Sequence, residues 1–392
     1  MQKLIKKDYF IYFLFIIVIF FLIRKGAERN LVSFIFSMII ILECIYKKRK
    51  INFIDKKLIF LYGVYSVFLI LSYLKNPLEI EKIFEIILSS FLFFWCLAQM
   101  EIKEKFYNKI LFIITILSLI SSYRGFREWM EHSFAITYRI TLVKTATIYT
   151  VEIGIYIFIS LFSIFILKNI YLKILSGMIF LFSFFVLIGT HSRVTLLLIP
   201  ILLLIILIGY LIENKKLNYK TLGLIIIFLI IFFNSSNIKQ HTQRLNNITN
   251  IEKMKNEARV KIYIKGLQDF KENEFKPLGY FYYSNHDLKA GPWKENNPHL
   301  HNNILEVLVT QGIGALISYL CFNILLFINL LKRLKEDVMK EQKYMIYLGL
   351  ILFLFINLGG LVDTSMYFIK SNLLISIVYG LSFCKVIPEK LK

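Results

Sequence analysis

Three short stretches place groups able to move protons or hold anions beside long apolar runs. His299 and His301 stand just before the apolar run that starts at Ile304. Asn302 or Asn303 is positioned to cap its first turn, and Gly312 and Gly314 follow. Between two earlier apolar runs lies Gly189-Thr190-His191-Ser192-Arg193, in which Ser192 reads as an N-cap and Arg193 opens the next helix. A third stretch carries Arg259, with Pro277-Leu278-Gly279 after it, and Arg244 lies upstream in the same polar region. An imidazole, with an ordinary pKa of about 6.5, is suited to take a proton near neutrality. A guanidinium offers a planar fork of donors that grips phosphate oxygens. The set therefore offers His301 as a candidate proton acceptor and Arg193, Arg259 and Arg244 as anion-binding candidates. Blander readings stand beside these: His301 as a polar cap, Arg259 as the solvated face of a helix, and Ser192-Arg193 as an interface anchor. No metal site is expected. His299-x-His301 has no further ligands at suitable spacing, and the four cysteines show no CxxC pair.

The elements that must position these groups are membrane spans. The chain is 57% hydrophobic, and apolar blocks recur along it; roughly 20 such residues cross a hydrocarbon core of ~30 Å. Spans are expected over Tyr9–Ile23, Leu31–Tyr46, Leu58–Leu74, Ile83–Met100, Ile110–Tyr123, Ala146–Leu167, Ile174–Gly189, Val194–Ile212, Thr221–Asn234, Ile304–Leu331, Tyr344–Leu361 and Asn372–Ile387. The expected fold class is thus an all-α integral membrane protein of about 12 transmembrane helices with one large polar loop that contains helical segments. Its organisation is 1–234 for the first nine spans, 235–303 for the loop and 304–392 for the last three. The net charge of +21 comes mostly from Lys and Arg between apolar blocks, without a compact domain to present them, which argues against a nucleic-acid surface. These residues instead read as topology determinants and contacts to membrane lipids. Their distribution puts both termini in the cytoplasm and the large loop outside. The stretch 124–145 reads as an interfacial amphipathic helix.

In order along the chain, Ser192-Arg193, Arg259 with Pro277-Leu278-Gly279, and His301-Asn302 with Gly312 and Gly314 resemble the signature of the O-antigen ligase/polymerase family. The resemblance implies a multi-pass glycosyltransferase of the bacterial inner membrane with a periplasmic site. Its donor would be an undecaprenyl-diphosphate-linked glycan, with no metal, cofactor or nucleotide sugar. It implies His301 as general base with inversion at the anomeric carbon. Arg193 and Arg259 would hold the diphosphate, with Ser192, Asn302 and Arg244 completing the substrate contacts. A lipid A-core hydroxyl as acceptor makes a ligase, the first reading; another repeat unit makes a polymerase, the alternative. Ala315 stands where the ligase form more often has Gly, Thr or Tyr, which weakens ligase against polymerase. A lipid-linked glycan transporter is the reading from another class. Transporters place ionisable groups near mid-membrane, whereas Glu43, Glu85, Glu152 and Asp363 here fall toward span ends.

Overall fold

A computed structural model describes residues 2–21, 27–49, 54–75, 80–135, 138, 140–141, 146–214, 258–280, 282–285, 299–363 and 368–387. The expected ninth span, 221–234, and Arg244 lie outside them. In chain order the helices are α1 Gln2–Phe21, α2 Ala27–Tyr46, α3 Lys56–Leu74, α4 Ile80–Ile87, α5 Phe93–Ala98, α6 Glu104–Glu131, α7 Ala146–Ile166, α8 Ile170–Gly189 and α9 Arg193–Asn214. They continue with α10 Ala258–Glu272, the single turn α11 Tyr282–Asn285, α12 Asn303–Gln311, α13 Ile313–Leu334, α14 Lys340–Gly359 and α15 Ile369–Phe383. Among the described residues, seven helices are long and apolar enough to cross a membrane. Shorter apolar helices cover Tyr12–Phe21, Val194–Ile206 and Ile369–Phe383. The protein is an all-α membrane protein.

Between helices that cannot use water-driven burial, association rests on close packing and on polar contacts across helices. Hydroxyls on α6 supply such contacts: Thr115 meets Ser163 of α7 at 2.8 Å, while Ser118 and Ser122 meet Ser183 of α8 at 3.2 and 2.7 Å. Gly154 of α7 lets Phe355 of α14 approach so near that a Cβ would lie 2.3 Å from the ring.

Four segments depart from the expected spans. The region 124–145 does not begin as a separate interfacial helix, because α6 runs unbroken to Glu131. Nothing after Tyr123 stops the helix, and Trp129 buries its ring against Phe134 and Phe185. The chain then returns along α8, where the Ile140 N–H donates to the Gly189 carbonyl at 3.2 Å. The expected fourth span is divided by a π-helical turn, Leu88–Leu92. Such a turn misaligns carbonyls, and Ser376 of α15 donates to that of Ser89 at 2.6 Å. The expected last span ends at Phe383, and Lys385–Ile387 instead forms a strand parallel to Glu101–Lys103. At this end of the bundle Arg49 pairs with Glu101 at 3.2 Å, and Lys385 with the same carboxylate at 3.1 Å.

The fourth departure matters most for the site. The run 304–331 is not one span but two helices, α12 and α13, divided at Gly312. Gly312 has φ +93° and ψ 173°, a conformation open to glycine and strained for other residues. The last carbonyls of a helix lack partners within it, and here the Pro277-Leu278-Gly279 stretch supplies them. Leu278 N–H donates to Val309 O at 2.9 Å and Gly279 N–H to Thr310 O at 3.0 Å. Ser72 Oγ of α3 adds a second donor to Thr310 O at 2.7 Å. The motif thus acts as a strap across the end of α12. Gly312→Ala is expected to lower stability by about 1–3 kcal/mol from backbone strain alone, since its Cβ would meet Pro277 at an ordinary 3.5 Å. Thermal unfolding of the two purified proteins measures the difference.

Candidate functional site

The start of α12 is fixed from several sides. Asn302 is its N-cap: Oδ1 accepts from Ile304 N–H at 2.9 Å and Leu305 N–H at 3.0 Å. The cap position therefore belongs to Asn302 and not to His301. The other end of the Asn302 amide, Nδ2, donates to Leu361 O at 2.8 Å, and Asn303 N–H donates to Gly360 O at 2.7 Å. Buried Glu306 reaches back from the first turn to accept Leu300 N–H at 2.7 Å, an arrangement that suits a carboxylate at the positive end of a helix. Together these contacts clamp the segment before α12 to the turn that follows α14.

That turn presents Asp363. Its Oδ1 lies 3.0 Å from His301 Nδ1, and its Oδ2 lies 3.5 Å from Arg259 Nη2. A carboxylate only accepts, so Nδ1–H is the donor and the Nε2 lone pair of His301 stays available to take a proton. His301 holds φ +53°, a left-handed conformation that non-glycine residues seldom adopt and that recurs at functional positions. Tyr263, one helical turn after Arg259 on α10, donates its hydroxyl to the His301 carbonyl at 3.1 Å. Burial raises the Tyr263 phenol above its ordinary value, which keeps it a donor. The Arg259 side chain is 41% exposed and gives Asp363 one long contact, so most of its donors face outward.

Asp363 also lines a cleft with Ser192, Thr195 and the apolar Val151, Leu198 and Phe355. The amino-terminal end of α9 opens on this cleft, with Arg193 as its first residue and Ser192 Oγ donating to Thr195 Oγ1 at 3.3 Å. A helix amino terminus carries roughly half a positive charge. The fold thus brings His301, Asn302, Arg259 and Ser192 to one end of the bundle, with Arg193 at the head of α9. Sequence reasoning missed Asp363, which it treated only as an acid near a span end. Its position three residues after Gly360, with Gly359-Gly360 at the end of an apolar run, is the one local signal that marks a turn there. Among the described residues no three His, Cys, Asp or Glu side chains gather as metal ligands.

His299 lies under the same segment, and burial, helped by the charge of His301, pushes its imidazole down to about 4. A folded pKa below the unfolded 6.5 gives stability that is present above pH 6.5 and is lost as pH falls. Between pH 7 and pH 5 wild type should lose about 2 kcal/mol more stability than His299→Leu. Denaturation curves of both proteins at the two pH values check this.

Fold and site together define a polytopic helical membrane protein with a His–Asp pair and arginines gathered at one end of its bundle. Residues 178–320, the region that carries Ser192-Arg193, Arg259 and His301-Asn302, match the family model described as O-antigen ligase. Asp363 lies beyond the matched stretch. No curated protein matches the chain.

Proposed function

We propose that the protein is an O-antigen ligase-like glycosyltransferase of the bacterial inner membrane. It moves a glycan from undecaprenyl diphosphate to a lipid A-core hydroxyl on the periplasmic side, with both termini cytoplasmic. The observation that carries this reading is the Asp363 carboxylate shared between His301 and Arg259. It fixes the tautomer of a base and sets that base beside a phosphate-binding cation. In the reaction His301 Nε2 takes the proton of the acceptor hydroxyl as its oxygen attacks the anomeric carbon. The bond from that carbon to the diphosphate oxygen breaks, and the lipid diphosphate leaves with the electron pair, so configuration inverts. Arg193, Arg259 and Arg244 stabilise the charge gathering on the leaving group, with Ser192 beside them. Asn302 serves by holding the His301 segment against Leu361. Residues 1–234 and 304–392 form the membrane domain, and 235–303 form the periplasmic loop that presents Arg259 and Arg244. The family match supports the general reaction type and leaves polymerase, with a glycan repeat unit as acceptor, as the second reading; Ala315 favours it.

The test is reconstitution of the purified chain with an undecaprenyl-diphosphate glycan and either acceptor, with chelator present. Free undecaprenyl diphosphate should appear in step with inverted glycosidic product. Transfer to lipid A-core assigns the ligase, and growth of the glycan assigns the polymerase. Donor that moves between leaflets without being consumed would replace both with a transporter.

A further inference from the structure

A second polar cluster, of residues that the transfer step does not use, lies in the first turn of α2 and on α6, α7 and α15. Arg29 and Asn30 are 9% and 6% exposed. Arg29 Nε donates to Asn30 Oδ1 at 3.3 Å, which uses the acceptor of the amide and leaves Asn30 Nδ2 buried without a partner. Among the described residues no carboxylate pairs with the Arg29 guanidinium, and the acids whose fields reach it are Glu85 and Glu152. Glu152, itself 2% exposed, is already committed: its Oε1 accepts Ser121 Oγ and Lys370 Nζ, each at 2.6 Å. Arg29 therefore lies in the field of two carboxylates, Glu85 and Glu152, neither of which pairs with it, while Lys370 pairs with Glu152, and the buried Nδ2 of Asn30 is left as an unpartnered donor beside the guanidinium.

We propose that Arg29 and Asn30 form a second anion site that takes a phosphate-type group. The chemistry is selective in one direction. A buried guanidinium with no carboxylate in contact is costly, and the donors of Arg29 and Asn30 Nδ2 are completed by a ligand bearing several acceptors and a negative charge. A planar guanidinium with an amide N–H₂ beside it matches two or three oxygens of one phosphate. That group can be a soluble phosphate or the headgroup of an anionic phospholipid. The assignment does not depend on the transferase reading.

The full chain, purified in a maltoside detergent free of phosphate, is titrated with inorganic phosphate in one arm and with phosphatidylglycerol in the other, at constant ionic strength. One arm should give a saturable rise in unfolding midpoint of about 2–4 °C, and the arm that does identifies the source. The rise should vanish in Arg29→Met and in Asn30→Asp. The second variant supplies Arg29 with its own carboxylate, so its midpoint without ligand should exceed that of wild type; it also keeps the test decisive if Arg29→Met does not fold. No saturable rise in either arm, or a rise that persists in Asn30→Asp, overturns the proposal.

Discussion

His301→Asn is expected to transfer glycan more slowly than wild type by a factor on the order of 10²–10⁴, the usual cost of removing a general base, while folding and inserting normally. Asparagine is the informative replacement because it tolerates the left-handed backbone that His301 adopts. Its amide N–H₂ can also still donate toward Asp363. What it cannot do is accept the proton of an acceptor hydroxyl. His301→Ala should be as inactive but carries backbone strain as well, so its loss is harder to assign. Rates are measured at matched amounts of purified protein, with unfolding midpoints alongside. An Asn variant that transfers at the wild-type rate would show that His301 only shapes the chain.

Asp363→Asn is the second large effect, expected on the order of 10²–10⁴ in rate. Asparagine keeps the size but presents either an N–H₂ or a weaker acceptor to His301 Nδ1. The ring is then free to put its proton on Nε2, where the base is needed; in the serine-protease triad the same change costs about 10⁴. It also removes the carboxylate that Arg259 approaches at 3.5 Å. A positioning role has a signature that a structural role lacks. The loss should fall on kcat more than on KM, and Asp363→Glu, which retains an acceptor, should recover part of the rate. Equal losses in the Asn and Glu variants, accompanied by a lowered unfolding midpoint, would make Asp363 a structural residue.

The placement of most candidate site residues at helix starts was legible because it is written locally. Ser192-Arg193 opens one helix and His301-Asn302 precedes another, and caps and charge placement at helix starts follow from a few neighbouring residues. The cap itself was narrowed to two asparagines, of which Asn302 takes the role. Asp363 was not legible, because its meaning depends on a partner 62 residues away; alone, it is one acid in a short connector. The division at Gly312 was hidden for a different reason. Thr310-Gln311-Gly312 is only a brief polar interruption between two apolar runs, and a glycine at such a place is compatible with an unbroken helix. Only the strap from Leu278 and Gly279, which takes up the freed carbonyls, makes the break stable. The extension of α6 to Glu131 was missed because Arg124, Arg127 and Glu128 resemble the polar end of a span, whereas the burial of Trp129 is a tertiary fact. Regions 215–257 and 286–298, including Arg244, lie outside the described residues and leave that part of the sequence reading as a proposal.

The carbonyl of Ser89, exposed by the π-helical turn, meets its donor in Ser376, 287 residues further along. Ser72 of α3 likewise finds the carbonyl of Thr310 only 238 residues later. As a ribosome feeds such a chain into the bilayer, its early helices are complete long before the late ones that satisfy them have been made. Closure of this bundle is therefore a late event in synthesis: the bonds at Ser89 and Ser72 form only once α15 and α12 have been made.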